Sequence, residues 1–210
     1  MDTHKDPSRV IYDTLHAAFD HFNNELFNNR LPPVMVVLHR KRNAHGYFWN
    51  GVWRQAGEGG EKLSEIALNP QTMGRSPEEV LSTLVHEMVH HEQHVFGKPG
   101  KSIGHNKEWA EWMDRVGLVP SSTGAPGGKR TGRNCSHYIE EGGPFAQVCA
   151  RFLESYPFDM RWFSPSQTGP RKKDRSKVKH TCPSCGANIW CREGLHMICG
   201  ACDVDMQEAV

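Results

Sequence analysis

The chain has 210 residues, 37% hydrophobic and 23% charged, with a formal net charge of +1 and a mean hydropathy of −0.63. That length allows one domain with a real core plus a small appendage, and no apolar run approaches the roughly eighteen residues of a helical membrane span, which excludes a membrane protein of that kind. The start, MDTHKDPSRV, lacks the basic-then-apolar pattern of a secretory leader, so a cytoplasmic location is expected.

Asp6-Pro7-Ser8 is a helix-start signal, and Val10, Ile11, Leu15, Ala18, Phe19, Phe22, Leu26 and Phe27 then recur at three- and four-residue spacing, predicting a core-facing helix that ends near Asn28-Asn29. Three strand-like runs follow, VMVVL (34–38), GYFWNGVW (46–53) and EIALN (65–69), separated by polar or glycine-rich turns. They predict a small sheet. Ser76-Pro77-Glu78-Glu79 has the form of a capping box with proline at the first helical position, and opens a helix carrying LVHEMVHHEQH (84–94). Gly97-Lys98-Pro99-Gly100 must end it, and Trp109, Trp112, Met113 and Val116 mark another helix. Residues 120–132 read as a glycine-rich loop, and Phe145, Val148, Cys149, Phe152 and Leu153 as one more short helix. Residues 167–179 are polar and basic without apolar periodicity, the pattern of a linker. The small net charge conceals an excess in residues 120–181, where eleven Lys/Arg face five Asp/Glu.

Residues four apart on a helix lie one above the other, about 6 Å along the axis, so His86 and His90 can reach one ion. Val80, Leu81, Leu84, Val85 and Met88 form an apolar face, and the two histidines lie roughly opposite it, beside Ser82, Thr83 and Gln93. Two histidines four apart are more often solvated surface than ligands. Glu87 changes that balance, because H-E-x-x-H is the pattern in which two histidines hold zinc and the glutamate acts as general base on a metal-activated water. His91 points about 100° away, and His94 lies about 12 Å along the axis from His86, too far for a shared ion. His91, Glu92 and His94 are expected in supporting contacts or on solvated surface. A histidine six positions after His90 would complete another known zinc pattern, but Phe96 stands there. The third ligand is therefore sought in GHNKEWAEWM, where His105 is in phase with the inward stripe and favoured, with Glu108 as the alternative.

Four of the seven cysteines form CPSC (182–185) and CGAC (199–202), a spacing that in a reducing compartment points to metal before disulfides. Cys182, Cys185, Cys199 and Cys202 are expected to close a tetrahedral structural zinc site, with Cys191 and His196 as rival ligands. NIWCR and LHMICG between the pairs are plausible short strands. Cys135 and Cys149 are expected to be ordinary small residues.

The first helix, HEMVH, GHNKEWAEWM at its spacing and the C-terminal cysteine pairs together resemble the SprT-like metallopeptidase family, whose eukaryotic branch clears DNA–protein crosslinks. Asn106 and Trp109 depart from the glycine and phenylalanine common there. The resemblance implies an α+β, zincin-like domain with helices packed on a small sheet, followed by a small zinc ribbon. It maps His86, His90 and His105 onto a catalytic zinc and Glu87 onto the catalytic glutamate. The expected division is 1–165 for the metallopeptidase domain, 166–179 for the linker and 180–210 for the ribbon. The expected function is a zinc endopeptidase with one catalytic and one structural zinc, acting on DNA-associated proteins. Basic residues around the linker and Trp190 are possible contacts to single-stranded or non-specific DNA. The alternative is a non-catalytic nucleic-acid-binding or regulatory protein in which both zinc sites are structural. Glu87 separates the two, because a closed structural site has no need of an acid beside its ligands.

Overall fold

The computed structural model describes residues 6–57, 59–100, 104–156, 158, 162–165 and 177–208. The expected linker lies outside the described residues as far as 176. Compactness divides the chain into two units, Met1–Ser166 and Gln167–Val210. Each is α+β or β in itself, giving helices and small sheets in the first and short strands around a cysteine cluster in the second.

Helix α1 (Pro7–Phe27) opens with the Asp6 side chain accepting from the Ser8 N–H at 2.9 Å and closes at Asn28, whose φ of 53° is left-handed. Its buried stripe is the predicted one, from Ile11 to Phe27. Asn23 then fixes the exit: its carboxamide donates to the Leu31 carbonyl at 3.2 Å and accepts from the Leu31 N–H at 3.1 Å. Strands β1 (Val34–Leu38), β2 (Gly46–Arg54) and β3 (Lys62–Leu68) form one sheet in the order β1-β3-β2, with β1 parallel and β2 antiparallel to β3. The central strand β3 is buried from Ser64 to Leu68, and β2 is an edge strand with a register shift between Trp49 and Trp53.

Helix α2 (Pro77–Phe96) carries the complete capping box: the Ser76 hydroxyl accepts from the Glu79 N–H at 3.2 Å, and Glu79 accepts from the Ser76 N–H at 3.0 Å. The helix packs against β2, β3, α1, α4 and α3 (Lys107–Arg115). Residues 80–89 are consequently buried all round, so the face carrying His86 is lined by protein rather than by water. Asn106 caps α3 by accepting from the Trp109 N–H at 2.9 Å.

In the first unit the sequence reading missed a two-stranded ribbon. Pro120 and Ser121 do not belong to a loop; they end β4 (Leu118–Ser121), which pairs antiparallel with β5 (Ser136–Ile139). Proline is tolerated because each strand of a two-stranded ribbon is an edge, and a long polar connection hides the pairing from local pattern. Helix α4 (Pro144–Ser155) lays Phe145, Val148, Cys149 and Phe152 against α1.

In the second unit, β6 (Val178–Thr181) and β7 (Asn188–Cys191) form a hairpin around CPSC, with β10 (Gln207–Glu208) on the other side of β6, while β8 (Ile198–Cys199) pairs with β9 (Val204–Asp205). The two expected strands thus pair with neighbours outside the intercysteine segment, because each cysteine pair occupies a tight turn that returns the chain on its own preceding strand. Among the described residues no helix is long and apolar enough to cross a membrane.

On α2, Glu92 is fully buried and ion-paired with both Arg30, just after α1, and Arg115, at the end of α3. It is neither solvated surface nor part of the histidine cluster. The Glu92→Gln variant leaves two guanidiniums facing a neutral amide. Their side chains are 41% and 42% exposed and stay partly hydrated. The expected loss is about 2 kcal/mol, below the roughly 3–5 kcal/mol of breaking a fully buried pair. It should be read as a lower urea midpoint at unchanged slope.

Candidate metal centre and its surroundings

His86 and His90, one turn apart on α2, meet His105 from the segment leading into α3. The ring centroids stand 5.1 Å (His86–His90), 5.4 Å (His86–His105) and 4.9 Å (His90–His105) apart. One nitrogen from each lies within 4.8 Å of the others, close enough for a single cation to draw on all three. Trp109, fully buried, forms the wall behind them: its ring is 4.3 Å from His105, 5.0 Å from His86 and stacked at 5.1 Å on His90. Trp109 thus packs on every ring of the cluster.

Neutral imidazoles are what such a cation needs, and the surroundings enforce them. Burial pushes His90 down to about 3 and His86 well below its ordinary value, with the neighbouring histidines adding to it. Burial also lowers His105, partly offset by its bond to the Gly132 carbonyl. That bond, 2.9 Å from Nδ1, occupies one nitrogen as donor and leaves Nε2 bare. The backbones of His105 and Gly132 also exchange two hydrogen bonds, at 3.1 and 2.9 Å. Gly132 sits at φ +121°, which side-chain-bearing residues rarely adopt, although the space around it is open.

Glu87 is buried, and burial raises its carboxyl to about 8 despite the Lys41 charge and a bond from the Phe48 N–H. Strand β2 comes this close because residue 46 is glycine: a Cβ there would stand 2.8 Å from the Ala67 carbonyl and 3.2 Å from Glu87 Oε1. A glycine opening a strand was the sequence signal for this approach.

The other sequence candidates lie elsewhere. His91 Nε2 bonds the Pro32 carbonyl at 3.0 Å, and His94 is exposed beside Phe48. Glu108 accepts from Gln93 Nε2 at 2.7 Å and from the Lys98 N–H at 2.8 Å, and is not grouped with the three histidines. One residue had no sequence signal at all: His137 on β5, whose Nδ1 lies 3.0 Å from His86 Nδ1 and whose Nε2 lies 2.9 Å from Ser82 Oγ. Burial, with the Arg75 and His45 charges, lowers it to about 4.

In the second unit Cys182, Cys185, Cys199 and Cys202 bring their sulfurs within 4.8 Å of one another. The N–H of Cys185 points at Cys182 Sγ (3.4 Å) and this bond lowers that thiol to about 7, while Cys185, whose own thiol is shared with the other three sulfurs, is raised to about 12. Cys191 and His196 stand outside the group, His196 being paired with Asp205 at 2.9 Å. Cys135 and Cys149 are buried in the first unit.

A family model, the SprT-like family, matches residues 15–127. The chain belongs to the SprT-like family. A 53-residue stretch is also 42% identical to an uncharacterized protein in the mucB 3′ region of Salmonella typhimurium, covering 24% of this chain and 72% of that protein. The SprT-like match runs from within α1 through β4 and includes His86, Glu87, His90 and His105, so the first unit is a metallopeptidase-like domain. Gly132 and His137 lie past its end.

Two outcomes are expected. Each histidine held neutral takes up a proton when the chain unfolds below its ordinary pKa of 6.5, so stability falls with falling pH. Glu87 acts oppositely between 4.5 and about 8, since there the folded state holds the extra proton. His86, His90 and His137 outweigh it, so the thermal midpoint of chelator-treated protein should drop steadily from about pH 6.5 to 4.5; a flat or rising midpoint contradicts this. Gly132→Ala should weaken metal binding at the histidines by about tenfold, read by chelator competition, because the strained backbone moves the carbonyl that orients His105.

Proposed function

We propose that this SprT-like protein is a zinc-dependent endopeptidase acting on DNA-associated proteins, with Glu87 as general base. The observation that carries it is the meeting of three neutral imidazoles from two segments beside a buried carboxylate, with no fourth His, Cys, Asp or Glu grouped with them among the described residues. His86, His90 and His105 would hold the ion; imidazole donors suit zinc, and a three-ligand set suits a catalytic rather than a closed site. When bound, the ion supplies Lewis acidity, polarising a carbonyl and making a water nucleophilic near neutral pH. Glu87 Oε accepts the proton from the attacking water and later returns it to the leaving amine. Burial alone holds a proton on the Glu87 carboxyl, and Lys41 and the Phe48 N–H oppose it only in part; the positive charge of an ion at the histidines would favour the carboxylate that a general base requires. Strand β2, an edge strand lying against Glu87 through Gly46, offers unpaired backbone groups to an extended polypeptide.

Cys182, Cys185, Cys199 and Cys202 would hold a second, structural zinc, which leaves no open position and orders a module with little core. Its exposed Trp190 (59%) and the basic excess in residues 120–181 support contacts to nucleic acid: the aromatic face by stacking, the cations by phosphate neutralisation.

The test is a metal count with a protease assay on a DNA-binding protein, with and without single-stranded DNA. Glu87→Gln should keep both ions and lower cleavage by about 10²–10⁴-fold. If the variant cleaves as fast as wild type, the nucleic-acid-binding alternative with two structural sites is the better reading.

A further inference from the structure

The contact between His86 Nδ1 and His137 Nδ1, at 3.0 Å, can hold only one proton. At the far end of the chain of bonds the Ser82 hydroxyl has two acceptors in reach, the Glu79 carbonyl at 3.0 Å and His137 Nε2 at 2.9 Å, so two polarities exist. With the hydroxyl on Glu79, the Ser82 oxygen accepts from His137 Nε2, the Nδ1 of neutral His137 is bare, and the shared proton is on His86 Nδ1. His86 Nε2 then keeps its lone pair, which a metal ligand requires, so a cation at the three histidines selects this polarity.

From this we infer that His137 is a positioning residue for the metal centre: it accepts the His86 Nδ1 proton and so holds His86 in the one neutral form that presents Nε2 to a cation. The reverse polarity would place the proton on Nε2 and block the ligand. His105 is oriented in the same way by the Gly132 carbonyl, so the segment past the family match supplies the outer contact of two of the three histidines. His137 does this with a side chain, 51 residues from its partner. The inference rests on the peptidase reading only in taking the three histidines as ligands of one ion.

The experiment uses the full chain loaded with cobalt(II), whose absorption bands distinguish an imidazole site from a thiolate site. His137→Leu removes the acceptor at similar bulk and should weaken cobalt binding at the histidines by about 10–100-fold, the usual effect of losing such an outer contact. The cysteine site should be unchanged. His137→Gln, whose amide oxygen can accept, should recover most of the affinity. If His137→Leu binds as tightly as wild type, or His137→Gln is as weak as His137→Leu, the inference is overturned. Should His137→Leu lose its helical circular dichroism, Ser82→Ala decides: by releasing His137 Nε2 it should lower affinity by a smaller factor, and an unchanged affinity overturns the inference. Wild-type protein that binds cobalt at the histidines without cleaving protein sinks the peptidase reading alone, because the affinity comparison still stands.

Discussion

The dehydration of α2 is the constraint on which the candidate centre depends. A helix with the sheet on one side and helices α1, α3 and α4 on others has no wet face along residues 80–89, and the polar groups placed there must be neutral or paired. The histidines answer by giving up their protons, which leaves bare nitrogens converging on one point. Glu87 answers by holding its own. Glu92, one turn beyond Met88, answers differently, as a carboxylate taken by two guanidiniums. One packing decision therefore produces a cluster of neutral imidazoles, a buried carboxyl beside it and a structural tie along a single helix.

Orientation is supplied from outside that helix. Trp109 closes the rear of the cluster and touches each ring, so none can turn away without opening a cavity. The β4–β5 ribbon and the connection before it provide the polar counterpart, through Gly132 to His105 and His137 to His86. An imidazole's free nitrogen is only as well placed as the bond on its other nitrogen. For two of the three histidines that bond comes from residues beyond the part of the chain that matches the SprT-like family.

The second unit follows another physical rule. It has short strands and an exposed apolar surface, with Ile189, Trp190, Leu195 and Ile198 all more than a third exposed, and among the described residues its buried hydrophobics are Cys182 and Cys199. Such a module draws little stability from burial, and four sulfurs gathered around one point take the place that a core takes elsewhere.

Local physics made much of this legible in the sequence. The 3.6-residue stripe of α1, the capping box of α2, the run of β1 and the two C-x-x-C turns are each decided within a few residues by periodicity, backbone satisfaction or spacing. So is the shared direction of His86 and His90. His105 could be favoured over Glu108 from its phase on the next helix, but that it meets the other two was decided by how α3 folds back on α2. The parallel pairing of β1 with β3, the pairing of Pro120 with His137, the two arginines on Glu92 and the hydrogen bond from His86 to His137 left no local trace. Each joins residues far apart in the chain, and its energy exists only when tertiary packing has brought them together and removed the water that would otherwise satisfy them.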